Sequence, residues 1–228
     1  MKQKGFTLAE VLITLGIIGI VASLTMPALI SDYKKQHAIT GLKREYAVLT
    51  QMVKLSQADN GDFDEWDWSL SLADFVNTYL VPYLQLIRNC GITDNTCWLP
   101  DNKIYAPNGN VGEDTSLATY YTGVLNNGTY VGFLKQDNNH LHFFIDINGA
   151  KRPNKYGVDS FLFTFTRIPF QEEGTGHNTN HSGLHFYGQG MPTAADLVSS
   201  CKKASTGIYC GLLYVQSGWQ IPDSVDIF

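Results

Sequence analysis

The chain of 228 residues is predicted to be α+β, with one long N-terminal helix laid against an antiparallel β-sheet. Three observations carry that reading. The first is an uncharged run of 21 residues from Val11 to Ser31. The second is a run of apolar residues at helical spacing that continues it without a linker. The third is a set of short aromatic and β-branched segments bounded by Asn, Gly and Asp in the second half.

At ~1.5 Å rise per residue the uncharged run gives a helix of roughly 30 Å, the thickness of a bilayer core. An ordinary secretory signal has a shorter apolar region, about 7–15 residues, closed by a small-residue cleavage site. Ala22-Ser23-Leu24 is a poor site of that kind, and the helical pattern runs past Pro27. Lys2 and Lys4 precede the run, a bias that keeps the N-terminus in the cytoplasm and exports the chain beyond residue 31. Glu10 stands at the edge of the run, where a carboxylate is costly unless paired. Pro27 removes one backbone hydrogen bond, and Gly16 and Gly19 loosen the helix further.

The basic leader ending in Gly5, then Phe6, Glu10 and the apolar helix together resemble the type IV prepilin family of pilins and secretion or competence pseudopilins. The resemblance implies a leader, residues 1–5, cut after Gly5 by a prepilin peptidase that also methylates the new amine on Phe6. It implies that Glu10 meets the N-terminal amine of a neighbouring subunit, a pair that costs ~3–5 kcal/mol to break once buried. It gives Pro27, the twenty-second residue counted from Phe6, a role in a segment that stretches during assembly. The implied layout is a transmembrane and assembly helix over 6–31, its amphipathic continuation over 32–61, and an exported head over 62–228. The implied location is the bacterial inner membrane, crossed once, with a periplasmic or cell-surface filament after assembly. The implied partners are copies of the chain or other pilins, the peptidase, an inner-membrane assembly platform and the bilayer.

In the amphipathic half, Ile39, Leu42, Tyr46, Leu49 and Val53 fall on one face, and Asn60-Gly61 marks the stop. Two heptads are too few for a coiled coil. Phe6 to Asp59 spans 54 residues, roughly 80 Å of helix. In the head, Asp62 to Trp68 reads as a surface turn with its Trp rings folded inward, in preference to a ligand patch. Leu70 to Arg88 reads as a helix that Pro82 kinks or splits. Thr129–Leu134, His140–Asp146 and Ser160–Thr166 read as antiparallel strands with one face on the long helix.

Between the last two strands, Asp146, Asn148, Asn154 and Asp159 offer oxygen ligands for Ca²⁺, which takes six to eight. Their spacing is not that of an EF-hand, and Lys151, Arg152 and Lys155 oppose a cation, so no metal is assigned. No cofactor is expected. Cys90, Cys97, Cys201 and Cys210 lie in the exported part, where disulfides form. Three connectivities are open; local pairing of Cys90 with Cys97 and Cys201 with Cys210 is expected, because short loops close at low cost. The gaps are too long for zinc spacing. His140 and His142 share one side of a strand, and His177 and His181 lie in a polar loop; none falls in a catalytic motif. The tail carries Gly-Trp-Gln-Ile-Pro from Gly218, which resembles the end of several pilin-like proteins.

After residue 59 there are nine Lys or Arg against 17 Asp or Glu, a net charge of −8 that disfavours nucleic acid. The expected role is a structural, non-enzymatic filament subunit of a pilus or type II secretion pseudopilus. The alternatives are a minor subunit that primes a filament or binds cargo, and a membrane-anchored binding protein or enzyme. Some tip subunits of the family lack the Glu, so its presence here permits a body position.

Overall fold

The computed structural model describes residues 5, 7–92, 97–99, 101–116, 119–167, 170–171, 178–179, 182–188 and 193–228. Met1 to Lys4, Phe6, His177 and His181 therefore lie outside the described residues.

Helix α1 runs over Leu8–Asn60, 53 residues. It starts with a capping box, in which Thr7 Oγ1 accepts from the Glu10 amide at 3.3 Å and Glu10 Oε2 accepts from the Thr7 amide at 2.8 Å. It passes through Pro27 without ending. It stops at Gly61, whose φ of +79° suits a residue with no Cβ.

The buried stripe of α1 is centred on Ala38, Leu42, Glu45, Leu49, Met52 and Ser56. Leu42, Leu49 and Val53 of the expected apolar face are buried, and the stripe widens to one side to take in Ala38, Glu45, Met52 and Ser56. Ile39 and Tyr46 pack on its flank. The wider stripe has a cause: two polar residues, Glu45 and Ser56, occupy buried positions, and a count of apolar side chains passes over them.

The helix expected from Leu70 to Arg88 is split near Pro82, and its last part is corrected to a strand. Helix α2 covers only Leu72–Tyr79, a single 3-10 turn comes next over Val81–Tyr83, and strand β1 covers Leu86–Gly91. Pro82 has no N–H and holds Val81 away from continued α-helix, so the chain turns and pairs as an edge strand.

The remaining strands are β2 (Lys103–Tyr105), β3 (Val111–Asp114), β4 (Tyr121–Leu125), β5 (Tyr130–Lys135), β6 (His140–Asp146), β7 (Ser160–Thr166), β8 (Phe170–Gln171), β9 (Asn178–Thr179) and β10 (Gly183–Phe186). Two short helices close the chain, α3 (Ala194–Ser200) and α4 (Cys210–Gln216). The main sheet has six strands in the order β1-β4-β5-β6-β7-β10, and every described pair is antiparallel. The chain is therefore α+β and pilin-like in build, a long N-terminal helix with an antiparallel sheet.

Period-two alternation sorts the sheet's side chains. Leu141, Phe143, Ile145, Phe161, Phe163 and Phe165 join the core that includes α1. Tyr46 stacks on Phe186 at 5.2 Å between ring centres. The opposite face is covered too: Phe144 and Leu162 pack with Trp98, Leu99, Ile104, Tyr120 and Tyr156. One face of the sheet thus lies on the helix, as expected, and the other carries a second apolar layer that the sequence-based expectation did not include. The Asp62–Trp68 turn folds inward. Trp66 and Trp68 are buried, and their ring N–H groups donate to Gly61 O at 3.0 Å and Phe63 O at 2.8 Å.

Gly41 sets how closely α1 approaches the head. A Cβ at this position would sit 2.5 Å from Ile147 Cδ1 and 3.1 Å from its Cβ. Alanine improves helix propensity by ~1 kcal/mol, but overpacking costs about 1–3 kcal/mol. Gly41→Ala is therefore expected to destabilise the head by about 1 kcal/mol net. Adding Ile147→Val, which removes the Cδ1 methyl, should recover part of the loss. Urea titration monitored by Trp fluorescence checks both; an unchanged or higher midpoint for Gly41→Ala contradicts the close-approach argument.

Candidate assembly helix and its junction with the head

The first half of α1 is apolar on all sides and stands clear of the head. Leu8, Leu24 and Leu29 are 78%, 75% and 70% exposed. The segment is long and apolar enough to cross a membrane. Leaving so many large apolar side chains in water is unfavourable at about 25 cal/mol per Å², so this half requires lipid or protein around it. At its start, Gly5 is exposed, and Glu10 holds Thr7 through both the amide and the hydroxyl, each at 2.8 Å. The spacing Thr7-x-x-Glu10 is a capping-box signature, so Glu10 closes its own helix in the isolated chain. Pro27 lies near the other end, where it deprives the Ser23 carbonyl of its usual amide donor.

The second half is fastened to the head through Glu45, which is fully buried. Its Oε1 accepts from Arg44 Nε at 2.6 Å, Thr129 Oγ1 at 2.9 Å and Asn127 Nδ2 at 3.0 Å. Arg44 also donates to Thr129 Oγ1 at 3.2 Å. One carboxylate thus joins α1 to the β4–β5 turn. The signal for it in the sequence is positional: Glu45 lies three residues after Leu42 and four before Leu49, on the inward face.

The loop between β6 and β7 packs beside the same stretch of helix. Its four oxygen-bearing residues are partly brought together. Asp159 accepts from Lys155 N at 2.6 Å, Asn154 N at 3.0 Å and Asn148 Nδ2 at 2.9 Å. Asp146 accepts from Ser160 Oγ at 2.6 Å and Asn148 N at 3.2 Å. Both carboxylates are held by N–H and O–H donors, an arrangement that ties the loop to itself. Burial pushes both Asp146 and Asp159 upward from the usual carboxylate range, and the charge of Asp159 pushes Asp146 further. Among the described residues, no group of three or more His, Cys, Asp or Glu is arranged to hold a metal ion. Cys90 is bonded to Cys97 and Cys201 to Cys210.

His140 pairs with Asp137 at 2.7 Å, while His142 lies edge-on to Tyr187 at 5.5 Å between ring centres. Burial lowers the His142 pKa to about 4, with His140 and His185 adding like charge and Asp137 opposing them. A folded value below the unfolded 6.5 gives stability that is present above pH 6.5 and lost as pH falls toward 4. The raised Asp146 acts in the opposite sense, so the informative comparison is with a variant in which that contribution cancels. His142→Phe keeps a ring against Tyr187 and is expected to lose about 1–2 kcal/mol less than the unaltered chain between about pH 6.5 and about pH 4. Urea midpoints at the two pH values check this; parallel losses contradict it.

A membrane-length helix leading into an α+β head places the chain among pilin-like proteins, and its N-terminus agrees. The prokaryotic N-terminal methylation motif, as found in prepilins, matches residues 1–26. The chain belongs to a family of unknown function (DUF6613), whose profile matches residues 28–225. It is similar to the prepilin peptidase-dependent protein D of Escherichia coli (strain K12), at 32% identity over 66 residues. That match covers 29% of this chain and 44% of the relative, less than half of either. No solved structure matches the chain.

Proposed function

We propose that the chain is a structural subunit of a type IV pilus-like or type II secretion pseudopilus filament. In this reading it is cut after Gly5 and methylated on Phe6 by a prepilin peptidase, then assembled through the first half of α1. The observation that carries the reading is the exposed apolar half-helix behind a prepilin-type motif. Such a surface is stable in lipid before assembly and among neighbouring helices afterwards, and it needs no catalytic centre. The name of the Escherichia coli relative supports peptidase processing alone, since the similarity reaches only part of either chain. The chain crosses the inner membrane once, with its N-terminus in the cytoplasm and its head exported.

A minor subunit that primes a filament or binds cargo uses the same N-terminus and differs only in copy number. Shearing filaments from cells that make the protein, then probing the sheared fraction with antibody to the head, tests the proposal. The head is expected in the filament fraction at many copies per filament. A few copies per filament would favour the priming role. A head found only in the membrane fraction overturns the filament reading.

A further inference from the structure

We propose that the junction of α1 with the β6–β7 loop is a binding site for the phosphate of an anionic lipid headgroup. A cavity of about 610 Å³ opens there, lined by Lys34, His37, Lys151, Arg152 and Lys155 among others; Asp159 also lines it, its carboxylate held by donors from Asn148, Asn154 and Lys155. Two features of the chain make the charge informative. The head is acidic as a whole, with a net charge of −8 after residue 59. Yet three of its nine Lys or Arg residues fall within 151–155. The self-bonded loop explains how they are held. Asp159 fixes the backbone of Asn154 and Lys155, and Lys151 and Arg152 are exposed while Lys155 is half-buried. Arg152 is shared with Asp101 at 3.4 Å. Among the described residues, Lys34, Lys151 and Lys155 have no carboxylate within ion-pair distance.

Position along α1 supplies the second argument. The uncharged run ends at Ser31. Tyr33 and Lys34 come within about 5 Å of helix beyond it, and His37 within about 9 Å. The headgroup layer on each side of a bilayer is about 5–8 Å deep. The mouth of the cavity therefore meets the headgroups when the apolar half is in the membrane. Tyr33, 70% exposed, has the amphipathic ring favoured at that depth. Guanidinium and ammonium groups converging on one cavity match a phosphodiester, which accepts several charge-assisted hydrogen bonds.

This site rests on the membrane-anchored reading above, and its test separates the two. The full chain is placed in detergent micelles holding equal phosphatidylglycerol and phosphatidylcholine, and retained lipid is counted by native mass spectrometry. Preferential retention of phosphatidylglycerol is expected. The variant Lys151→Gln/Arg152→Gln/Lys155→Gln should lose that preference by about fivefold or more. A charge-matched control, Lys54→Gln/Lys103→Gln/Lys203→Gln, should keep it. Equal retention of both lipids, or equal loss in the control, overturns the site. Displacement of the lipid by modest inorganic phosphate would assign the cavity to a free anion and overturn the lipid source. Resistance to alkaline extraction from vesicles reports anchoring by itself. A chain that washes off fails the anchoring reading, whereas one that stays but shows no lipid preference fails only this site.

Discussion

Glu10→Ala is expected to abolish incorporation into filaments while leaving membrane insertion unchanged. The apolar run that drives insertion lies beyond residue 10 and loses nothing. The substitution removes the anion that a neighbouring amine would pair with in a medium of low dielectric, where such a pair costs ~3–5 kcal/mol to break. A loss of that size per contact, repeated at each subunit, leaves no measurable polymer. Glu10 also caps its own helix, so the charge and the cap must be separated. Glu10→Gln retains a side chain able to close the capping box but carries no charge. Thr7→Ala retains the charge and removes the hydroxyl half of the box, at about 1 kcal/mol. The account expects Glu10→Gln to fail like Glu10→Ala, and Thr7→Ala to assemble. Fractionation of sheared filaments and membranes reads both. Assembly of Glu10→Gln at normal levels would reduce Glu10 to a helix cap.

The second large effect is on the head. Glu45→Ala is expected to lower its stability by about 2–3 kcal/mol. The buried Thr129 hydroxyl and the Asn127 amide lose their acceptor, whereas Arg44, about half exposed, can turn to water. That release keeps the cost below the full penalty for stranding a buried charge. Glu45→Gln keeps one acceptor oxygen and should fall between the two. Chemical denaturation gives the magnitude. Hydrogen exchange at the Thr129 amide, which donates to Asn127 Oδ1 at 3.0 Å, tells whether the β4–β5 turn has come away from α1. Wild-type midpoints and unchanged exchange in Glu45→Ala would show that apolar contacts alone hold the helix to the head.

The N-terminal elements are legible because their signals are local. An uncharged run, a basic stretch ending in Gly5 and a Glu at the edge of the run form a motif at fixed spacing. The strands β5, β6 and β7 are legible for a similar reason: aromatic residues alternate there, and Asn-Gly or Asp turns bound them. Strand β1 is not, because Leu86 to Gly91 has no alternation and comes after a helical pattern; its pairing with β4 decides its conformation. The second apolar layer is hidden because Trp98, Ile104 and Tyr156 are scattered in short or irregular segments and converge only in space. Glu45 is hidden because a charged side chain in an amphipathic helix ordinarily faces water, and its partners in the head, Asn127 and Thr129, lie more than 80 residues away. The cavity has the same origin, since Lys34 and Lys151 line one space only when the β6–β7 loop lies along α1.

The mass of the N-terminal peptide, from protein purified out of its own cells, tests the central claim most directly. The account predicts a peptide that begins at Phe6 and carries one added methyl group on its amine. A peptide that still holds Met1 to Gly5, or a chain from which the whole apolar run is gone, would contradict it.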